Sequence, residues 1–248
     1  MNKKHVVQLV QLNNRYGQQV YLPYSAGVLE SFVKQNKEIK DNFDFKEFIF
    51  LRENVSSMLN KIGHVDILGI SCYVWNWRVS LKLAEQVREK NPNCMIFLGG
   101  PHVPDKIDEN FFKTYPYIDL LMHGEGELTF EETLISYLHK KPLDNILSTS
   151  FFDRKNGHKV YFNKKRERMS DFSLLPSPYL EGTFENILDK YDYQWMVTWE
   201  TNRGCPFKCT FCDWGSATAS KVRKFEEKRL FDEIDYFTKK KVDLIFGA

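Results

Sequence analysis

Asp66-Ile67-Leu68-Gly69-Ile70-Ser71 is the stretch whose reading decides the fold. It is short, apolar on both of its alternating faces and followed by Cys72-Tyr73, as expected of a strand buried on both sides. A helical pattern follows over residues 75–90, with Val79, Leu81, Leu83, Ala84 and Val87 at its apolar positions and Asn91-Pro92 as its stop. Residues 95–98 then form a second buried strand, ended by Gly99 and Gly100. Strand, helix and strand in this order make a parallel βαβ unit.

The alternation continues outward. Upstream, residues 6–12 read as a strand and 25–34 as a helix, with Ser25 as its N-cap and Val28, Leu29, Phe32 and Val33 on one face. Residues 48–50 are a short strand candidate and 53–62 a helix. Downstream come a helix over 105–113, a strand over 118–122 and a helix over 127–138 with Phe130, Leu134, Ile135 and Leu138 facing the core. The pattern predicts an α/β fold, a doubly wound parallel sheet over residues 1–140.

Composition narrows the function classes. The chain has 248 residues with 35 Lys and Arg against 33 Asp and Glu, so no global field draws it to nucleic acid or a membrane surface. A 42% hydrophobic and 27% charged chain is not disordered. No secretory signal or membrane-spanning apolar run is visible, so the cytoplasm is the expected location. Three of the five Cys fall within residues 205–212, which favours a metal or redox site in a reduced compartment over a disulfide scaffold.

In doubly wound sheets ligands sit outside the carboxyl ends of the strands. Three strand ends stand out: Gly69-Ile70-Ser71-Cys72-Tyr73, Gly99-Gly100-Pro101-His102 and His123-Gly124-Glu125-Gly126-Glu127. Any one is explained by a tight turn; three at one edge favour a bound ligand. The Ser71-x-Tyr73 turn followed by Gly99-Gly100 resembles the cobalamin-binding flavodoxin-like domain, where such turns flank the dimethylbenzimidazole tail. The GGPH and GEGE turns are similar to the form this domain takes ahead of a radical S-adenosylmethionine domain. The resemblance covers roughly residues 5–140. It implies that Ser71, Tyr73, Gly99, Gly100, Pro101, His102, Gly124 and Glu125 contact cobalamin. Many such domains carry Asp-x-His-x-x-Gly after the first strand, and that His ligates cobalt. Here the loop reads Leu22-Pro23-Tyr24-Ser25-Ala26-Gly27, so cobalamin is expected to bind without a His from it, or the domain has lost cobalamin. His102 and His123 read as turn residues with local hydrogen bonds, and Cys72 and Cys94 as core residues. Trp75 and Trp77 face different ways; one walls a corrin-sized pocket, or both are core.

Residues 149–153 and 159–163 form a hairpin around Asn156-Gly157. A basic, solvated segment (163–168) and an extended connector (174–179) complete a hairpin-and-linker region over 141–190.

From residue 191 a second unit begins with a strand over 195–199, leading to Arg203-Gly204-Cys205-Pro206-Phe207-Lys208-Cys209-Thr210-Phe211-Cys212. Three thiolates on one loop can hold three irons of a 4Fe–4S cluster and leave the fourth open. Structural zinc needs four closed ligands, and no fourth Cys or nearby His follows; a three-Cys catalytic zinc is the alternative. The spacing Cys-x-x-x-Cys-x-Phe-Cys is identified as the signature of the radical S-adenosylmethionine superfamily. The resemblance implies that Cys205, Cys209 and Cys212 ligate iron and that the open iron chelates S-adenosylmethionine. It further implies that Phe211 packs beside the adenine and that an electron cleaves the sulfonium to methionine and a 5′-deoxyadenosyl radical. The electron would come from a donor such as a flavodoxin or ferredoxin. A helix over 226–240 with Leu230, Ile234 and Phe237 as its stripe, then a strand over 242–246, begin a (βα) partial TIM barrel over 191–248.

The family's barrel has six strand–helix units, so the expectation is the amino-terminal part of a longer enzyme, or a barrel completed by a partner chain. The function expected is reductive cleavage of S-adenosylmethionine, with cobalamin, for methyl transfer or rearrangement on a small-molecule or peptide substrate. The rivals are an enzyme whose first domain no longer binds cobalamin, a non-catalytic binding module and a zinc-binding structural protein.

Overall fold

A computed structural model describes residues 3–154, 159–212 and 220–248. The chain enters on β1 (His5–Asn13), whose Val7, Leu9, Val10 and Leu12 are all buried, as a strand covered on both faces requires. After a turn comes the short β2 (Gln19–Tyr21), then α1 (Tyr24–Val33). Ser25 is not the N-cap expected from the sequence. Pro23 precedes the helix with no side-chain cap, and Ser25 lies inside the first turn, its hydroxyl drawn to Gln11. Next are α2 (Lys37–Asn42), β3 (Phe43–Phe45), β4 (Ile49–Leu51) and α3 (Val55–Ile62). Asn36 caps α2 and Asn54 caps α3, each accepting a backbone N–H of the first turn. The central unit is β5 (Ile67–Ser71), α4 (Trp77–Lys90) and β6 (Met95–Gly99). It is followed by α5 (Glu109–Thr114), β7 (Leu120–Met122) and α6 (Glu127–Leu138). α5 begins four residues later than the sequence suggests, because Asp108 caps it.

β1 pairs in parallel with β3 and β4 on one side and with β5 on the other, and β6 and β7 continue in parallel beyond β5. The strand order therefore reverses between β1 and β5, and Ser71 ends β5 at that switch point. Alternate residues feed two cores. Ile67 and Phe97 join one, while Leu68, Ile70, Ile96 and Leu98 join the other. Gly69 in β5 serves this packing and not a ligand. A Cβ there would lie 2.1 Å from the Phe97 ring. Gly69→Ala is expected to cost about 1–3 kcal/mol by overpacking, measured as a lower urea midpoint with an unchanged slope.

The hairpin, β8 (Thr149–Asp153) and β9 (Lys159–Phe162), is not a detached linker element. β8 pairs antiparallel with β7 and extends the main sheet, and Arg154 beside it binds Asp119. Its expected Asn156-Gly157 turn lies outside the described residues. The basic stretch after it is only partly solvated, since Arg166 pairs with Glu132 and Asn163 donates to the Leu143 and Ile146 carbonyls.

The expected extended connector over 174–179 is instead a folded plug. Leu175 and Tyr179 are buried, Tyr179 at 1% exposure. The Tyr179 ring stacks on Tyr24 at 5.8 Å and meets Phe237 edge-on at 4.7 Å, and its hydroxyl donates to the Thr198 carbonyl. Burying so large a ring outweighs the extended preference of the flanking prolines.

The remainder runs α7 (Glu185–Lys190), β10 (Gln194–Trp199), β11 (Asn202–Arg203), β12 (Arg223–Lys224), α8 (Glu227–Lys239) and β13 (Leu244–Gly247). β10 lies between β13 and β2, all parallel, so the amino-terminal segment donates a strand to the second sheet. The buried stripe of α8 also differs from expectation. Ile234 is exposed, and Glu233 takes the inner position, accepting from Trp199 Nε1 at 2.8 Å and pairing with Arg229 at 3.0 Å. No helix among the described residues is long and apolar enough to cross a membrane.

Candidate cofactor edge and cysteine loop

The turns after β5 and β6 form one structure. Ser71 stands opposite Gly99 in the ladder, the Cys72 amide donates to the Gly99 carbonyl at 2.7 Å, and the His102 amide donates to the Cys72 carbonyl at 3.1 Å. Gly100 has φ +95°, and a Cβ there would sit 2.8 Å from the Cys72 carbonyl and 3.2 Å from Ser71 Oγ. Only glycine fits that conformation and that space. Ser71 Oγ shares a 2.9 Å hydrogen bond with Ser25 Oγ, which donates to Gln11 Oε1 at 2.8 Å. The structure thus brings Ser71, Gly99, Gly100 and His102 together, with Pro101 exposed in the same turn.

Asn76, which sequence reasoning passed over, ties this edge together. Fully buried, it accepts the Tyr73 amide at 2.8 Å and donates to the Ser71 and Leu12 carbonyls, joining the ends of β1 and β5. Its position just before α4 was the available signal. The two tryptophans separate. Trp77 packs on His102, Phe111 and Tyr115, whereas Trp75 is 48% exposed and stacks on Tyr73 at 4.5 Å. Gly124 sits at φ +72° with nothing within 4 Å of its Cβ position, so its backbone is open to an incoming group. His123 does not bond within its own turn as expected; its Nε2 shares a 3.0 Å hydrogen bond with Ser150 Oγ on the neighbouring β8, and burial lowers its pKa. Residues 22–27 present no imidazole, and Tyr24 is turned into the plug against Tyr179. A flat cofactor lacking a His ligand fits this edge: backbone without side chains at Gly100 and Gly124, hydroxyls at Ser71 and Tyr73, and a stacked aromatic surface beside them.

The cysteine loop leaves and re-enters a two-stranded ribbon in which Arg203 pairs with Arg223. At this neck Gly204 has φ +101°, and a Cβ would lie 2.4 Å from the Lys221 carbonyl. The Ser220 amide donates to the Cys205 carbonyl, and the Cys212 amide to that of Cys209. All five cysteines are free thiols. Burial pushes Cys72 and Cys94 up to about 12, so neither can supply a thiolate at neutral pH. Cys209 is exposed, Cys205 and Cys212 are partly so, and Phe211 is 89% exposed. Among the described residues no three His, Cys, Asp or Glu side chains stand together as a ready metal cage. The loop offers three accessible soft donors, the chemistry an iron–sulfur cluster requires, which gathering around the metal would complete.

The GEGE turn does something the sequence did not suggest. Glu125, expected to touch cobalamin, has its carboxylate engaged elsewhere: Arg223 donates to it at 2.6 Å and the Met169 amide at 2.9 Å. Burial alone would raise its pKa, but these hydrogen bonds and the charges of Arg223 and Arg203 bring it below the ordinary carboxylate value. Glu127 pairs with Arg203 at 2.7 Å, and Arg203 also binds Glu200 at 3.0 Å, which accepts from Tyr24 at 3.1 Å. Burial opposes the Arg203 charge, yet the two carboxylates hold it more firmly protonated than usual. Burial pushes Glu200 up against that same attraction.

Comparison with known proteins accords with this architecture. The B12 binding domain family matches residues 51–134. Over 229 residues the chain is 41% identical to the cobalamin-dependent radical SAM methyltransferase TokK of Streptomyces tokunonensis. It is 39% identical to 2-(S-pantetheinyl)-carbapenam-3-carboxylate methyltransferase of Streptantibioticus cattleyicolor. Both alignments cover 91% of this chain and 33% of the relative, so the chain spans about a third of the length of these proteins. The fold is also that of the cobalamin-dependent S-adenosylmethionine radical enzyme OxsB, solved with aqua-cobalamin and S-adenosylmethionine bound. That match has a TM-score of 0.70 at 21% identity and covers 99% of this chain and 34% of the other. Residues 51–134 thus match the B12 binding domain family, and nearly the whole chain is similar to part of proteins named cobalamin-dependent radical SAM methyltransferases.

Proposed function

We propose that this chain carries the cobalamin and iron–sulfur sites of a radical S-adenosylmethionine methyltransferase acting on a small molecule. The observation that carries the reading is the meeting of two sites in one chain: a glycine-lined carboxyl edge at the switch point, and a loop of three accessible thiols held at its neck. Cys205, Cys209 and Cys212 hold the cluster, and Phe211 offers its exposed ring to the adenine of S-adenosylmethionine. Ser71, Tyr73, Gly99, Gly100, Pro101, His102 and Gly124 line the cobalamin site, with Trp75 beside them, while Glu125 acts through its arginine. When bound, the cluster supplies a low-potential electron and cobalamin a carrier for the methyl group.

The chain's own residues bind and orient. Asn76 fixes the β5 turn, Ser25 and Gln11 hold the Ser71 hydroxyl in place, and Gly100 keeps the backbone clear. No imidazole from residues 22–27 competes for the cobalt. A reduced compartment suits five free thiols, so we place the protein in the cytoplasm, served by an electron donor of the flavodoxin or ferredoxin class. The similarity to a carbapenam-carboxylate methyltransferase supports a small-molecule substrate.

The reading is tested by anaerobic reconstitution with iron and sulfide. The chain is expected to take up about four irons and four sulfides, and a variant with all three loop cysteines changed to Ala to take up none. Zinc without sulfide in the wild-type chain would replace this reading with a structural metal site.

A further inference from the structure

We propose that Glu125 and Glu127 are positioning residues for the cysteine loop, holding it at the carboxyl edge of the first sheet through Arg223 and Arg203. Both carboxylates come from one turn, at the entry to α6. Both arginines come from one rung of the ribbon that closes the loop. Arg203 is two residues from Cys205, whose carbonyl is bonded across the neck to the Ser220 amide. The pairs are drawn out of water: side-chain exposure is 14% and 4% for Arg203 and Glu127, and 11% and 22% for Arg223 and Glu125. The Phe172 ring lies against both guanidinium groups, 5.5 Å from Arg203 and 5.0 Å from Arg223.

A buried ion pair is a weak source of stability but a strong source of register, because any other placement strands charges away from water. Here two like charges on the turn face two like charges on the rung, so each pair is tolerable only opposite the other. The turn that leaves Gly124 open at the cofactor edge therefore fixes, through its next acidic side chains, where the three thiols emerge. A loop tethered only by its backbone would have no such reference to the first sheet.

The inference rests on the cluster reading only for its consequence in the loaded protein; the positioning itself is measurable without metal. In the metal-free, reduced chain of 248 residues, iodoacetamide labelling of each cysteine is followed by mass spectrometry in wild type, E125Q and E127Q. Cys205 is expected to label on the order of tenfold faster in the variants, as a loosened loop opens more often, while buried Cys72 and Cys94 stay unlabelled. E125Q, at the more exposed pair, carries the test should E127Q fail to fold. After reconstitution, E125Q is expected to retain its iron but to show a changed electron paramagnetic resonance line shape. Wild-type labelling rates, a rise shared by Cys72 and Cys94 in both variants, or a wild-type signal at full iron content would overturn the proposal. A faster Cys205 in a chain that never takes up a cluster would uphold the positioning and sink the cluster reading instead.

Discussion

Arg203→Met should destabilise the chain by about 3–5 kcal/mol, among the largest losses any single side-chain change would cause. The guanidinium lies between Glu127 and Glu200 at 2.7 and 3.0 Å, and its removal leaves two carboxylates facing each other in a site largely closed to water. Methionine fills much of the volume, so the loss is electrostatic and not a cavity. Glu200 already sits above its ordinary pKa through burial, and without Arg203 it is pushed further toward the neutral acid. Urea denaturation at pH 7 reads the loss. Adding Glu127→Gln and Glu200→Gln to Arg203→Met should recover part of it, because neutral amides carry no stranded charge. A loss below about 1 kcal/mol would mean that solvent reaches this pair freely.

Gly100→Ala should abolish corrin retention while leaving the cluster loop intact. Alanine at φ +95° is strained by about 1–3 kcal/mol, and its methyl would press against the Cys72 backbone and the Ser71 hydroxyl. The turn can relieve this only by moving away from β5, which separates Ser71 and Cys72 from Gly99 and His102. Cobalamin co-eluting on gel filtration measures the effect. Iron uptake by the same variant should match wild type, since Cys205, Cys209 and Cys212 lie on a different sheet's loop. Full corrin retention would show that this turn does not border the cofactor.

What could be read from the sequence follows the length and regularity of each element. β5, α4 and β6 declared themselves because a parallel strand buried on both sides is apolar on both faces and a 14-residue helix repeats its stripe several times. α6 matched its expected bounds for the same reason. The loop cysteines stood out because metal chemistry would fix residue type and spacing together; their role as cluster ligands is the reading proposed above. β2 was not, because three residues carry no period and its partner β10 lies far along the chain. Tyr179 was misjudged because local proline signals say nothing of an aromatic cluster assembled from Tyr24, Phe184 and Phe237. Ile234 and Glu233 exchanged places because Trp199 and Arg229 satisfy a buried carboxylate, which a hydrophobic pattern cannot anticipate. The partner of Glu125 could not be anticipated for the same reason: Arg223 lies 98 residues along the chain and meets it only on folding.

Native mass spectrometry of the anaerobically reconstituted chain, offered iron, sulfide and hydroxocobalamin together, tests the central claim most directly. One species carrying both a 4Fe–4S cluster and one cobalamin is expected, with the corrin lost in Gly100→Ala and the cluster lost when the three loop cysteines are replaced. A chain that binds only zinc, or that holds a cluster but never a corrin, would contradict it.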